Sequence, residues 1–124
     1  MKNILILSIL FFIGCKKNAD IPKQFNSYIE AQYIVQSANL SIQEEAQTGG
    51  RSENNWIREA KYFANDKYNG YLIINMNGKD YIFDELPYSV WEQFKNAEDL
   101  GTAYHRLIKG KYNLKLKRWK KNLF

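Results

Sequence analysis

The stretch YLIINMNGKDYIFDEL, residues 71–86, decides the fold, because two independent signals in it predict a β-hairpin. Asn77-Gly78 separates two runs of alternating apolar residues, and this dipeptide favours a type I′ turn, which needs positive φ at both central positions. On one side of the ribbon the turn sets three facing pairs, mostly large and apolar: Met76 with Lys79, Ile74 with Tyr81, and Leu72 with Phe83. On the other side of the ribbon Ile73 faces Ile82, so we expect other parts of the chain to cover that side partly as well.

The segments next to the hairpin predict a third strand and a helix. Upstream, WIREAKYFANDK, residues 56–67, supplies the strand, which reaches the hairpin through the turn formers of residues 65–70. Downstream, Pro87 suits a first helical turn, and the spacing from Ser89 to Glu92 is that of a capping box. The helix should present an apolar stripe to the sheet, made of Val90, Trp91, Phe94 and Ala97.

Residues farther from the hairpin carry weaker signals. A second helix is expected from about Leu100 to Lys109, with Gly110 placed to end it. Residues 21–47 have apolar residues at roughly helical spacing and predict an N-terminal helix, whereas residues 48–55 are rich in turn formers and predict a linker. The sequence leaves open whether the 21–47 segment packs on the domain or serves as a stalk.

The sequence after Gly110 is compatible with either a strand or a helix. Leu114 and Leu116 alternate with lysines as in an edge strand, yet Leu116 and Trp119 also follow helical spacing. We favour a strand to about Leu116 with a loose basic end. The predicted fold class is α+β: a small three-stranded antiparallel meander followed by two helices, with an optional short C-terminal edge strand, and preceded by an N-terminal helix.

The first fifteen residues have the pattern of an export signal. Lys2 gives a positive start, residues 4–13 are an almost unbroken apolar run, and Gly14 precedes Cys15. The run is shorter than the roughly 20 residues that cross a bilayer, and the alternative is a buried strand or short core helix. FIGC, residues 12–15, resembles the bacterial lipobox, with phenylalanine where leucine is commoner. The resemblance implies cleavage before Cys15 and acylation of this cysteine, with palmitate as a typical acyl group.

Acylation of Cys15 implies a location and an organisation for the chain. Two or more acyl chains anchor a protein stably, so we expect the mature chain on a membrane of the bacterial cell envelope, outside the cytoplasm. Lys16 after the cysteine resembles the outer-membrane sorting pattern of enteric bacteria and slightly favours that membrane. The 124 residues leave room for one small domain. We predict a signal peptide (1–14), an anchored helical and linker segment (15–55), a compact domain (56–117) and a basic tail (118–124).

Four short motifs follow one another between residues 57 and 112. They are Tyr81-Ile82-Phe83, Leu86-Pro87, Gly101 with Tyr104 and His105, and Ile108-Lys109-Gly110-Lys111-Tyr112. In this order and with nearly unbroken spacing they resemble the KTSC domain, a short module named after the C-terminus of some lysyl-tRNA synthetases. Its pattern has an aromatic pair late in a hairpin, a Val-Pro step, then Gly, two aromatics and Asn, and a closing Ile-Arg-Gly-Lys-Tyr. The resemblance covers under half of the chain.

The resemblance to the KTSC domain implies a fold and leaves the activity unassigned. RNA binding has been suggested for the family, whose function is not established. This chain departs from the family pattern at Ala103, where an aromatic is usual, at His105, where Asn is usual, and at Lys109, where Arg is usual. The resemblance therefore gives RNA binding as one expectation among others.

The charge of the chain is divided between two regions. Residues 15–99 carry nine Lys and Arg against all thirteen Asp and Glu, a net charge of −4, whereas residues 100–124 carry eight Lys and Arg and no acid, a net charge of +8. We therefore expect an anionic partner to bind the second region. The candidate residues are Tyr104, His105, Arg106, Lys109, Lys111, Tyr112, Lys115, Lys117, Arg118, Trp119, Lys120 and Lys121.

Several partners fit this basic region. Lysines and arginines interleaved with aromatics can neutralise phosphates and stack on bases, as in single-strand nucleic-acid binding. They can equally contact anionic lipid headgroups, where each Lys or Arg adds about 1 kcal/mol, or an acidic protein or glycan of the envelope. The plain alternative is a solvated tail that aids solubility. Because an exported protein has no routine access to RNA, we expect an envelope partner or anionic membrane, with nucleic acid as the alternative if the chain is not exported.

Residue types needed for catalysis are scarce. One His and one Cys are fewer than a metal site needs, and no phosphate-binding loop or nucleophile elbow is present in the sequence. The acid pairs Glu44-Glu45, Asp84-Glu85 and Glu98-Asp99 point in different directions along an element and are expected to be solvated surface. We therefore expect a non-enzymatic binding module without a metal or cofactor.

Overall fold

The computed structural model describes residues 21–117. Within that range four strands form one antiparallel sheet in the order β1, β2, β3, β4, one helix precedes the sheet and two follow it. The elements are α1 (Tyr28–Ser37), β1 (Ile42–Glu45), a 3₁₀ turn (Glu53–Asn55), β2 (Ile57–Ala64), β3 (Gly70–Met76), β4 (Lys79–Leu86), α2 (Tyr88–Lys95) and α3, whose α-helical turn Leu100–Ala103 continues as the π-helical turn Tyr104–Ile108. The predicted α+β class is confirmed.

The β3–β4 hairpin has the predicted register. Asn77 and Gly78 have φ angles of 54° and 88°, the positive values of a type I′ turn. The facing pairs are Met76 with Lys79, Ile74 with Tyr81, Ile73 with Ile82, and Leu72 with Phe83. The Asn77 N–H also donates to the Trp56 C=O at 2.8 Å, which ties the turn to the start of β2. Local turn chemistry and alternation suffice to fix this part of the fold.

The N-terminal segment differs from the single helix expected over residues 21–47. The helix α1 covers only Tyr28–Ser37, and residues 42–45 form the strand β1. This strand pairs antiparallel with β2, with Ile42 opposite Ala64. The meander therefore has four strands where we expected three.

Capping residues explain where α1 begins and ends. The Ser27 Oγ accepts a hydrogen bond from the Glu30 N–H at 3.0 Å, and the Glu30 carboxylate accepts one from the Asn26 N–H at 2.7 Å. This reciprocal pattern resembles a capping box and starts the helix. Asn39, just after the helix, has φ of 57°, which a right-handed helix does not allow.

One face of the sheet packs against α2 and α3 around an aromatic core. Trp91 and Phe94 are fully buried, as the predicted apolar stripe requires. Trp91 stacks on Tyr62 of β2, with ring centroids 5.4 Å apart, and the Tyr62 hydroxyl donates to the Leu86 C=O at 2.7 Å. Gly70 lies against the Tyr62 ring, and a Cβ on Gly70 would overlap that ring. The other buried members of this cluster are Ala46, Ile57, Ala60, Ala64, Leu72, Ile74, Met76, Phe83, Leu100, Ala103 and Ile108.

The opposite face of the sheet is covered by α1 and by the C-terminal segment 113–117. The buried residues of this second cluster are Phe25, Ala31, Val35, Ala38, Leu40, Phe63, Ile73, Ile82 and Leu114. The coverage expected from the Ile73–Ile82 pair is therefore present. Residues from Phe25 to Ala46 pack on the sheet and do not form a stalk. A chain that begins at residue 16 keeps all of these side chains.

The two helices that follow the sheet start and end at the expected places. Pro87 is the N-cap of α2 and no side chain caps that end, so the predicted capping box from Ser89 to Glu92 is wrong. Asp99 caps α3 with its carboxylate, and Gly110 follows the helix with φ of 77°. Within residues 21–117, no helix is long and apolar enough to cross a membrane.

The segment after Gly110 makes two single bridges in the described part of the chain. Asn113 pairs antiparallel with Phe83, and Leu116 pairs in parallel with Phe25. The segment is extended up to Leu116, but a continuous edge strand is not formed there. Residues 118–124 lie outside the described residues.

Candidate anion-binding surface

The N-terminal and C-terminal segments meet at the parallel bridge between Phe25 and Leu116. The Phe25 N–H donates to the Lys115 C=O at 3.1 Å, and the Lys117 N–H donates to the Phe25 C=O at 2.8 Å. Phe25 is fully buried in the second cluster, and Leu116 packs against that cluster. The bridge therefore joins the segment that follows Cys15 in the sequence to the segment that precedes the basic tail.

Three lysines surround this bridge. Leu114 and Leu116 face the second cluster, and the alternating residues Lys115 and Lys117 are exposed, because successive side chains of an extended chain point in opposite directions. Lys23 lines the same shallow depression, of about 560 Å³, whose other lining residues are Pro22, Gln24 and Glu85. We call Lys23, Lys115 and Lys117 the lysine cluster.

One acid partly neutralises the lysine cluster. The Lys115 Nζ lies 3.2 Å from the Glu85 Oε2, and both side chains are more than half exposed. An exposed pair of this kind contributes little to stability and can exchange for a competing anion. Within residues 21–117, Lys23 and Lys117 make no ion pair. Among the described residues, two of the three positive charges of the cluster therefore have no acid partner.

A β-bulge positions Glu85 beside the lysine cluster. The β3–β4 register shifts between Gly70 and Leu72, and Glu85 takes a φ angle of 58°. Its neighbour Asp84 is buried and accepts a hydrogen bond from the Glu85 N–H at 2.6 Å. Burial raises the pKa of Asp84 above its ordinary value of 3.8. The expectation of solvated surface is therefore wrong for Asp84, although Glu85 is exposed.

Three predicted site residues with aromatic rings, Tyr104, His105 and Tyr112, lie on the sheet face opposite the lysine cluster. Tyr104 is half-buried, with its ring edge-on to Trp56 at 5.9 Å and to Phe83 at 6.1 Å. His105 is exposed and its ring lies 5.9 Å from Trp56, while Tyr112 is half-buried against the same core. Much of each tyrosine ring is therefore used in packing.

The basic residues at the end of α3 form a second exposed group, made of Arg106, Lys109 and Lys111. The Lys111 Nζ donates to the Arg106 C=O at 2.7 Å, as cations do near a helix C-terminus. Because α3 packs on one sheet face and the lysine cluster borders the other, the predicted site is divided into two groups. The remaining predicted residues lie outside the described part of the chain: Cys15, Arg118, Trp119, Lys120 and Lys121.

Sequence reasoning missed a polar network around Glu44, which we expected to be solvated surface. The Glu44 carboxylate accepts hydrogen bonds from the Tyr88 hydroxyl at 2.9 Å, the Trp91 Nε1 at 2.9 Å and the Lys95 Nζ at 2.7 Å. The Lys95 hydrogen bond above all lowers the pKa of Glu44 below 4.5. All four side chains are partnered, so the network ties β1 to α2. No local signal marks it, since the donors lie 44 to 51 residues further along the chain.

Neither a metal site nor a similarity to known proteins indicates a function for the described surfaces. Within residues 21–117, no three His, Cys or carboxylate side chains converge to hold a metal ion. No known protein family matches the chain, and no curated protein or solved structure is significantly similar to it. Of the two exposed basic groups in the described residues, the lysine cluster lies next to the segment that follows Cys15 in the sequence.

Proposed function

We propose that this chain is a lipoprotein of the bacterial cell envelope, anchored through Cys15, and that its domain holds the lysine cluster against anionic lipid headgroups. It acts as a non-enzymatic binding module. The observation that carries the proposal is the Phe25–Leu116 bridge, which joins the lysines to the segment that follows the anchor. The ten residues from Cys15 to Phe25 span at most about 36 Å, so the anchored end stays within that distance of the bridge.

The anchor and the lysine cluster act together in this proposal. Further basic residues lie in sequence on both sides of the bridge: Lys16 and Lys17 after the anchor, and Arg118, Lys120 and Lys121 after the cluster. Each basic residue near an anionic membrane contributes about 1 kcal/mol, within a Debye length of about 8 Å. Because the anchor already keeps the domain at the membrane, the effective lipid concentration is high and a weak attraction suffices to orient the domain.

The resemblance to the KTSC domain belongs to the same proposal. Several residues that carry the resemblance have packing roles: Ile82, Leu86 and Ile108 are buried, and a Cβ on Gly101 would lie 2.9 Å from the Trp56 Nε1. Such residues support a shared fold more than a shared ligand. We therefore assign the binding role to the lysine cluster, which lies outside the resembling segment.

Vesicle binding by the chain from residue 16 onward tests the lipid contact. We expect it to bind vesicles of phosphatidylglycerol and phosphatidylcholine and to bind pure phosphatidylcholine weakly. The double substitution Lys115→Gln and Lys117→Gln should weaken binding to the anionic vesicles by roughly 30-fold, because it removes about 2 kcal/mol of attraction. The matched control, Arg106→Gln with Lys109→Gln, removes the same charge from α3 and should bind like the parent chain.

Two results would contradict the proposal. Equal losses in the two double variants would mean that net charge, and not the lysine cluster, governs binding. Tight binding of single-stranded RNA that weakens steeply with salt and is lost in the Arg106 and Lys109 variant would instead favour nucleic-acid binding through α3.

A further inference from the structure

The helix α1 exposes a group of large apolar side chains. Of the five such side chains that are exposed within residues 21–117, three lie on α1: Tyr28 at 52%, Ile29 at 79% and Tyr33 at 73%. Ala31 and Val35, on the other side of the helix, are fully buried. Ile29 and Tyr33 are four residues apart and therefore neighbours on the outer face of the helix. Neighbouring exposed apolar side chains on a helix are a candidate interaction surface.

The lysine cluster and α1 belong to segments that cover the same face of the sheet. The helix α1 and the segment 113–117 cover the same face of the sheet, and Ala31 and Leu114 belong to the same cluster. Lys115 and Lys117 are exposed, as Ile29 and Tyr33 are. The bridge at Phe25 lies three residues before the start of α1. Exposed apolar and basic side chains therefore belong to segments on the same side of the sheet.

We infer that this side is a membrane-docking face, in which Ile29 and Tyr33 insert into the boundary between headgroups and acyl chains while the lysine cluster contacts lipid phosphates. The inference rests on the proposed function and adds an apolar contact to it. Charge complementarity favours an anionic bilayer as the partner, because an exposed apolar helix face and exposed lysines lie on the same side of the sheet. Tyrosine favours the interface because its ring is apolar and its hydroxyl is polar.

The one acidic side chain of α1 is held at the N-terminal end of the helix. The only acid on the helix is Glu30, whose carboxylate accepts hydrogen bonds from the Asn26 N–H and the Asn26 side chain at 2.7 and 3.1 Å. The helix carries no second carboxylate that would repel lipid phosphates. Ile29 lies fourteen residues after Cys15 in the sequence, so an anchored chain keeps α1 near the bilayer.

A single environment-sensitive label tests the insertion directly. Because Cys15 is the only cysteine, the chain from residue 16 has none and accepts one introduced thiol. Tyr33→Cys labelled with an NBD group should give brighter and blue-shifted emission when vesicles of phosphatidylglycerol and phosphatidylcholine are added. The matched control is Tyr68→Cys on the β2–β3 turn, where the tyrosine is 76% exposed. Its NBD emission should stay unchanged.

A second variant tests the contribution of the apolar contact to binding. Ile29→Ser with Tyr33→Ser should lower the vesicle partition coefficient about tenfold, because less apolar area enters the interface. The salt dependence of binding should match that of the parent chain, since the lysines are unchanged. Both substituted side chains are exposed, so the variant should keep the circular dichroism spectrum of the parent chain.

The outcomes separate this inference from the proposed function. Absence of vesicle binding by the parent chain would overturn both. Salt-dependent binding in which the Tyr33 label does not respond and the serine variant binds like the parent would overturn the inference alone, and would leave a protein as the partner of α1. Equal responses of the labels at 33 and 68 would also overturn it, because binding would then use no defined face.

Discussion

At the scale of single residues, Glu44 shows how one side chain joins elements that the local sequence does not connect. Its carboxylate accepts hydrogen bonds from three donors on α2, and one of them is the charged Lys95 Nζ at 2.7 Å. Hydrogen bonds between charged partners are about twice as strong as neutral ones. We therefore expect the charge of Glu44 to stabilise the attachment of β1 to α2.

Glu44→Gln should lower the free energy of unfolding by about 1–3 kcal/mol at neutral pH, because the amide cannot pair with the charge of Lys95. The pKa of Glu44 is lower in the folded chain than its ordinary value of 4.5. Its stabilising effect is therefore complete above pH 4.5 and is lost as the pH falls through the native pKa. When urea unfolding is measured from neutral to acidic pH, the free energy of unfolding should fall more steeply for the parent chain than for Glu44→Gln.

The neighbouring acid provides a control for this experiment. Glu45 is exposed on β1, so Glu45→Gln should unfold at the same urea concentration as the parent chain. If the two glutamine variants lost equal stability, the network around Glu44 would not be the cause.

At the scale of secondary-structure elements, the sequence predicts the elements that depend on neighbouring residues. It does not predict the elements that depend on contacts with distant parts of the chain. Asn77-Gly78 determines its hairpin because the turn residues and the alternation lie within one segment. The strand β1 was missed because IQEE, residues 42–45, lacks strand-like apolar alternation. The pairing of β1 depends on β2 and on the hydrogen-bond donors of α2. Both lie far along the chain, so no local sequence pattern indicates the strand. The same limit explains why α1 was predicted too long.

The bridge between Phe25 and Leu116 is the element-scale feature that we expect to respond most clearly to mutation. Phe25→Ala should cost about 3–5 kcal/mol, because a fully buried ring leaves a cavity. The Lys117 N–H, which donates to the Phe25 C=O, should then exchange with solvent faster in hydrogen-exchange measurements. Tyr28→Ala, at a residue that is 52% exposed, is the control and should leave that exchange rate unchanged. Continued protection of Lys117 in Phe25→Ala would mean that the buried ring does not hold the bridge.

At the scale of the whole molecule, the two faces of the sheet carry different surfaces. The face under α2 and α3 contains the aromatic core, and the basic group of α3 lies beside it. The other face is covered by α1 and residues 113–117, which carry the exposed apolar group and the lysine cluster. The candidate residues predicted from the sequence include Lys115 and Lys117 but not Lys23, which lies 92 positions before Lys115 and is brought beside it only in the folded chain. The division of the candidate site into two groups has the same physical reason.

The central claim is that this molecule works at a membrane to which Cys15 anchors it. The most direct measurement is the intact mass of the natively expressed protein in each cell fraction, beside that of a Cys15→Ala variant. We predict a membrane-bound chain that begins at Cys15 and carries the mass of a diacylglyceryl group and an acyl chain, with the variant lost from the membrane. A full-length, unmodified chain in the cytosol would contradict the account, and would make nucleic acid the leading partner for the basic residues.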